Sequence, residues 1–252
     1  MTHPQFSHFK IEGSRMLFDY SANTFPSKLH SFGNNEYFYF DNKDSTYFVY
    51  CWKGLCNLQL EVSEHGQAAG IHYSLHPGMY ACVPSGSHMI GGEGIVIERL
   101  NYKGMFQIGG PVENWGRLKY IDGCTDSLLV PPVKFGDACL NALFFPENIN
   151  QTQHTHPSMR VGMVTKGKGY CMLPPDNDKT KERDCIPLVP GLVFIIHEDG
   201  LHSFKTESGE GMTVIAYHPD SDFGPQDEKH PMINRTIVDG VSASELKDIQ
   251  TK

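Results

Sequence analysis

Residues 190–202 read PGLVFIIHEDGLH: a Pro-Gly turn, a run of five apolar residues, a second turn and then a histidine. A short apolar run bounded by turn residues is typical of a buried β-strand. The segment therefore predicts a strand between two turns, with His202 opening the strand that follows.

A second segment, residues 153–157, reads QHTHP and places two histidines two positions apart. Side chains two apart on a strand point to the same face, so His154 and His156 are predicted to reach one metal ion. An HxH pair alone arises by chance about 0.7 times in a chain of this histidine content, so the later strand-turn-His segment is what favours a metal site. Short apolar runs broken by turn residues predict neighbouring strands at 142–145, 160–165 and 169–173.

Both regions have a partner earlier in the chain. Residues 47–56 resemble 162–171, and residues 77–88 resemble 190–202, each at an offset of about 114 residues. A period this long is typical of a duplicated domain, and the length allows two domains of ordinary size.

The same offset carries the histidine pair back to Tyr39 and Asp41, so His88 is the one histidine counterpart in the first half. The first domain is therefore predicted to have lost its metal, with His88 as a structural residue.

These motifs resemble those of the cupin superfamily, in which HxH, a residue four positions on and a distant histidine line a small jelly-roll barrel. The resemblance implies an all-β fold of two cupin barrels in tandem, a bicupin. Residues 1–118 are predicted to form an N-terminal barrel with a degenerate metal site, and residues 119–252 a C-terminal, metal-binding barrel. It also implies His154, His156 and His202 as ligands of one divalent metal ion and, by analogy, a homodimer.

Arg160 stands at the position where most cupins with a four-ligand site have glutamate. Its guanidinium stays protonated and cannot ligate a metal. Three neutral imidazoles leave the ion's charge uncompensated and Arg160 adds to it, so the pocket is predicted to take a small anion, with Arg160 as the substrate anchor. The alternative is a salt bridge at the barrel rim.

Imidazole ligands suit several transition metals equally. Iron(II) is favoured because three-histidine cupins without the glutamate resemble ring-cleaving and thiol dioxygenases; manganese, nickel, zinc and copper stay open. The resemblance thus implies a dioxygenase acting on a small carboxylate-bearing metabolite. A non-oxidative lyase or isomerase would use the same residues, and a cupin that only binds a small ligand is the third alternative, because fold does not choose between them.

Other histidines receive more ordinary interpretations. His197 is predicted to be a turn residue. His218, next to a strand end, is predicted to lie at the surface, with a hydrogen bond to a ligand imidazole as the alternative. His154 and His156 themselves have a structural alternative, hydrogen bonding at a strand end.

Composition limits the remaining possibilities. A net charge of −8 and the lack of a basic cluster exclude a nucleic-acid binder. The sequence has no signal peptide and no run of 18 apolar residues, which predicts a cytoplasmic protein without a membrane partner.

The cysteines, a charged loop and the C-terminal segment also carry local predictions. The seven cysteines lack CxxC spacing and are predicted to be buried, reduced side chains. Residues 174–184 are predicted to be a solvated loop. Ser242 and Glu245, spaced as a capping box before Leu246, predict a short C-terminal helix.

Overall fold

The computed structural model describes residues 3–64, 67–175, 184–227 and 230–249, so most of the predicted loop at 174–184 lies outside the described residues. Nearly all regular structure is antiparallel β-sheet. The first half forms one eight-stranded sheet from β2 (Arg15–Tyr20), β3 (Ser27–Phe32), β4 (Tyr37–Phe40), β5 (Ser45–Glu64), β6 (Gln67–Leu75), β7 (Tyr80–Pro84), β8 (Ser87–Leu100) and β9 (Gln107–Gly109).

The second half contains a seven-stranded and a three-stranded sheet. The larger sheet contains β1 (Phe6–Lys10), β10 (Leu118–Lys119), β11 (Thr125–Val130), β12 (Cys139–Phe145), β13 (Arg160–Gly167), β16 (Leu192–Ile196) and β18 (Met212–His218). The smaller one contains β14 (Gly169–Leu173), β15 (Asp184–Leu188) and β17 (Ser203–Lys205). The strands predicted around the histidine pair and at 192–196 are therefore confirmed.

The two halves repeat one pattern of strand pairing. β5 pairs with β6, β7 and β8, while its counterparts β13 and β14 pair with β15, β16, β17 and β18. Residues 47–56 and 162–171 thus lie on equivalent strands, and the all-β tandem jelly-roll fold is confirmed. The domain bounds 1–118 and 119–252 stay a prediction.

One strand does not follow the order of the halves. β1 pairs antiparallel with β16, with Phe6 opposite Ile196, so the N-terminal strand is an edge of the second-half sheet. Phe6 is fully buried and its ring stacks on that of Phe194, with centroids 5.5 Å apart. The sequence pattern around Phe6 does not reveal this pairing, because its partner lies about 190 residues away.

The core is continuous between the halves. One buried cluster combines first-half residues such as Phe48 and Ile97 with second-half residues such as Val161 and Tyr217. The rings of Phe48 and Tyr217 lie 5.1 Å apart. Two further clusters lie one in each half.

The C-terminal segment differs in detail from expectation. The short α-helix is α1 (Pro231–Arg235), followed by β19 (Ile237–Val238) and β20 (Val241–Ser242). The position predicted for the C-terminal helix, after Ser242, is wrong, because Ala243–Glu245 and Lys247–Ile249 are single 3-10 turns. The Ser242 hydroxyl accepts from the Ser244 amide, a short cap that closes one turn only.

Six of the seven cysteines are buried, as predicted, whereas Cys185 is exposed. Within the described part of the chain, no helix is long and apolar enough to cross a membrane.

Candidate metal centre

The three predicted ligands meet at one end of the second barrel. His154 and His202 lie opposite each other in an isolated antiparallel bridge, with N···O distances of 2.9 and 3.0 Å in the two directions. The backbone carbonyl of His156 accepts from the amide of Asp199, at 2.8 Å. The turn after β16 is thereby tied to the HxH segment at two points.

The HxH segment is not the strand that alternation predicted. Of the two, only His154 has a ladder partner, and His156 lies in irregular chain directly before the bend at Pro157 and Ser158. The two imidazoles nevertheless share one side, because their ring centroids are 5.1 Å apart and lie 4.5 and 5.2 Å from that of His202. The potential ligand atoms of all three lie within 4.8 Å of one another.

Hydrogen bonds to the backbone orient two of the rings. Nδ1 of His154 lies 2.8 Å from the carbonyl oxygen of Thr152, and Nδ1 of His202 lies 2.8 Å from that of Gly200. A carbonyl only accepts, so Nδ1 carries the proton in both rings and Nε2 keeps its lone pair. This is the arrangement that metal-binding histidines usually show.

One nitrogen of the cluster, Nε2 of His202, lacks a partner that a metal ion could provide. His202 is fully buried, and its Nε2 has no hydrogen-bond partner. A buried unpaired nitrogen is costly and rare. A divalent ion bound by one nitrogen of each ring fits this donor set, because imidazole nitrogen is a common metal ligand.

The surroundings keep the imidazoles of His156 and His202 neutral. Burial lowers the pKa of His202 to about 4. Burial, and then the charge of Arg160, lower the pKa of His156 to about 3. Neutral imidazole is the form that binds a metal.

A small cavity adjoins the cluster, with a volume of about 30 Å³, room for about two water molecules. Its walls are mainly apolar. Glycine at position 162 lets the Phe194 ring form one wall, because a Cβ on residue 162 would lie 2.1 Å from that ring. The other lining residues include Tyr120, Leu143, Arg160, Ile196, Phe204, Val214 and His218.

Arg160 lies at the cavity and also in an ion pair. Its side chain is 13% exposed, and Nη1 lies 3.3 Å from Oδ1 of Asp220. Both sequence-based roles, substrate anchor and salt bridge, are therefore compatible with its position.

Sequence reasoning missed two polar residues of the wall. His218, predicted at the surface, ends β18 and lines the cavity, where burial and then Arg160 lower its pKa. Period-two alternation along Val214, Ala216 and His218 is the signal that could have placed it inside. Tyr120 lies in the connection between the barrels, and no local pattern marks it.

Two other histidines lie away from the cluster. His197 follows β16 and its Nε2 lies 2.9 Å from the Ser7 hydroxyl, consistent with the predicted turn residue. His88 lies against the exposed rings of Tyr37 and Tyr39 rather than in the core of the first barrel. Among the described residues, the one cluster of metal-ligand type is His154, His156 and His202.

Comparisons with known proteins support the fold. No protein-family model and no curated protein matches the chain. A glyoxylate-induced protein from Pseudomonas aeruginosa superposes with a TM-score of 0.61 at 13% identity, covering 90% of this chain and 92% of its own. A cupin 2 conserved barrel domain protein from Leptotrichia buccalis gives 0.53 at 11% identity, covering 86% and 90%.

Oxalate decarboxylase of Bacillus subtilis, which has Mn(II) centres, gives a TM-score of 0.52 at 10% identity, covering 88% of this chain and 79% of its own. At such identities the likeness concerns fold alone. The chain has the tandem cupin fold, with a three-histidine cluster in its second barrel.

Proposed function

We propose that this protein is a metal-dependent enzyme that acts on a small anionic metabolite in its second barrel. The observation that carries the proposal is the convergence of three imidazoles, two of them with Nδ1 fixed by backbone carbonyls, beside a cavity lined by Arg160. A purely structural histidine cluster would not leave Nε2 of His202 buried and unpaired.

His154, His156 and His202 would hold the ion. A bound ion with three protein ligands supplies Lewis acidity and open coordination positions for substrate or dioxygen. Arg160 attracts the anion and limits its orientation. The apolar wall of Phe194, Phe204 and Val214 excludes water from the reacting groups.

The finer proposal is an iron(II) dioxygenase acting on a carboxylate-bearing substrate. It is supported by the three-histidine set without a carboxylate ligand, since Arg160 occupies the glutamate position.

The second candidate is non-oxidative chemistry at the same site, with manganese as the ion. It is favoured by the similarity in fold to a manganese-containing decarboxylase. His218 would be a neutral base on the cavity wall, because burial keeps its pKa low. If neither activity is found, the remaining alternative is a cupin that binds a small ligand without reaction.

The test begins with protein purified without a histidine tag and stripped of metal. It is reloaded separately with Fe(II), Mn(II) and Zn(II), and oxygen uptake and carbon dioxide release are measured against a panel of small carboxylates. Oxygen uptake with iron alone supports the dioxygenase, and carbon dioxide release without oxygen uptake supports the lyase. Failure to bind any of the three ions would overturn both.

A further inference from the structure

The guanidinium of Arg160 is held through one terminal nitrogen. Nη1 lies 3.1 Å from the carbonyl oxygen of Met159, 3.2 Å from that of Ser158 and 3.3 Å from Oδ1 of Asp220. Nη1 also donates to the Ser158 hydroxyl, which itself donates to Asp220. Four acceptors share two N–H protons, so Nη1 has no donor left for a substrate.

The other edge of the same group is open. Nε is buried and has no hydrogen-bond partner, and no described residue accepts from Nη2. The N–H groups of Nε and Nη2 are parallel, with a spacing that matches the two oxygens of a carboxylate. A buried charged donor without an acceptor is costly, so Nε requires an acceptor that the described residues do not supply.

The described residues supply no anion on this side. None of the described residues that line the cavity is acidic, and Asp220 contacts Nη1 only. Of the ionisable lining groups, the histidines are neutral or positive and Tyr120 is a neutral phenol. The acceptor for the open edge must therefore come from a bound molecule.

We propose that Arg160 binds the substrate carboxylate side-on, through Nε and Nη2, and that Asp220 and Ser158 are positioning residues that fix this edge toward the cavity. The inference rests on the small-anion site proposed above and specifies how the anion is recognised. Two parallel donors match any anion that presents a pair of oxygens, so the preference for a carboxylate over a bulkier tetrahedral anion of equal charge comes from the cavity of about 30 Å³.

The experiment measures binding of two matched monoanions, acetate and methanesulfonate, by calorimetric titration. Each is titrated into metal-free protein and into protein loaded with Zn(II), with metal content determined by elemental analysis. The variants are Asp220→Asn, Ser158→Ala and Arg160→Lys, and the matched control is Asp222→Asn, an exposed acid two residues from Asp220. Circular dichroism confirms that each variant is folded.

Acetate should bind wild type more tightly than methanesulfonate, and Asp220→Asn should weaken acetate about tenfold without changing metal content, the worth of about one charged hydrogen bond. Arg160→Lys should weaken it further because it removes the paired donors, whereas Asp222→Asn should leave the affinities for both anions unchanged. Equal binding of the two anions by wild type, equal behaviour of Asp220→Asn and Asp222→Asn, or no binding of acetate in either form would overturn the inference. A protein that takes up no zinc but still shows this pattern would refute the metal proposal and keep the carboxylate site.

Discussion

The carbonyl oxygen of Gly200 determines which nitrogen of His202 faces the cavity. It accepts from Nδ1 at 2.8 Å, and the buried Nε2 then points toward His154 and His156. This orientation comes from a backbone carbonyl in the turn at 197–202, so it does not depend on the side chains beside His202. The ring is a fixed ligand before any metal binds, which lowers the entropy cost of binding.

Replacement of His202 by alanine should weaken metal binding by more than about 100-fold, because even loss of an outer hydrogen-bond partner costs up to that much. Elemental analysis after dialysis against a defined zinc buffer measures the change. His88→Ala is the control. Because His88 lies against Tyr37 and Tyr39, away from the cluster, this variant should keep one metal per chain. Full metal retention by His202→Ala would contradict the assignment.

Substitutions of Arg160 should separate substrate binding from metal binding. Arg160→Lys keeps the charge but loses the fork, and should keep the metal while weakening substrate binding by roughly 1 to 3 kcal/mol. Arg160→Glu should tighten metal binding and suppress activity, because it supplies a carboxylate ligand that occupies an open position. Unchanged substrate affinity and metal affinity in both variants would reduce Arg160 to a salt-bridge partner of Asp220.

At the scale of elements, strand β1 protects the edge of the barrel that carries the site. It pairs with β16 along five residues, and the Gln5 carbonyl accepts from the amide of His197. Phe6 packs on Phe194, which lines the cavity. Strand β1 therefore stabilises the barrel that contains the histidine cluster although it comes first in the chain.

Phe6→Ala should destabilise the protein by about 3 to 5 kcal/mol, since it removes a fully buried aromatic ring and leaves a space beside Phe194. Urea denaturation gives the free energy of unfolding. Lys10→Ala, at an exposed position of the same strand, should change it by less than about 0.5 kcal/mol. A similar effect of the two substitutions would mean that β1 is not docked.

A second element of interest is β8, which carries a buried carboxylate, Glu98. Its Oε1 accepts from Ser45 at 2.7 Å and from Asn42 at 2.9 Å, and its Oε2 lies 3.9 Å from Nε2 of His30. Burial alone would raise the pKa of Glu98, but its contacts with His30, Ser45 and Asn42 outweigh burial and lower the pKa to about 2. The charged carboxylate thus links β8 to β3 and to the start of β5.

The lowered pKa of Glu98 predicts how the stability of the fold changes with pH. The ionised carboxylate stabilises the fold above pH 4.5, the ordinary value, and the contribution is lost as the pH falls toward 2, because the unfolded chain takes up the proton first. Glu98→Gln should therefore lower stability at pH 7 and flatten the pH dependence between 4.5 and 2. Thermal unfolding across this range measures both, and equal slopes for wild type and variant would contradict it.

The local sequence pattern was sufficient for some elements and not for others. The runs at 142–145, 169–173 and 192–196 are bounded by turn residues and became β12, β14 and β16. The pairing of β1 with β16 could not be predicted because its contacts are non-local. His156 was predicted on a strand, yet it lies in irregular chain before the bend at Pro157, while its ring still reaches the cluster.

At the scale of the whole molecule, the two barrels share one core. Phe48 of the first barrel packs on Tyr217 of the second, and the hydroxyl of Ser27 lies 3.4 Å from that of Tyr217. The ring of Trp52 packs so close to Gly191, in the turn before β16, that a Cβ there would lie 2.3 Å from it. Disrupting either barrel exposes apolar surface of the other, so the halves should not unfold independently.

Metal binding should therefore stabilise the entire chain although, among the described residues, the proposed ligands all lie in the second barrel. In metal-free protein carrying Trp115→Phe, which leaves Trp52 as the sole tryptophan, urea unfolding followed by circular dichroism and by fluorescence of Trp52, a first-half residue, should give one coincident transition. Zinc at 100 times its dissociation constant should shift both signals together by about 2.7 kcal/mol, because the ion binds the folded state alone. His202→Ala should abolish the shift at both probes. If zinc moves the circular dichroism signal while the Trp52 transition stays in place, the first barrel unfolds on its own, and the shared core around Phe48 and Tyr217 does not couple the halves.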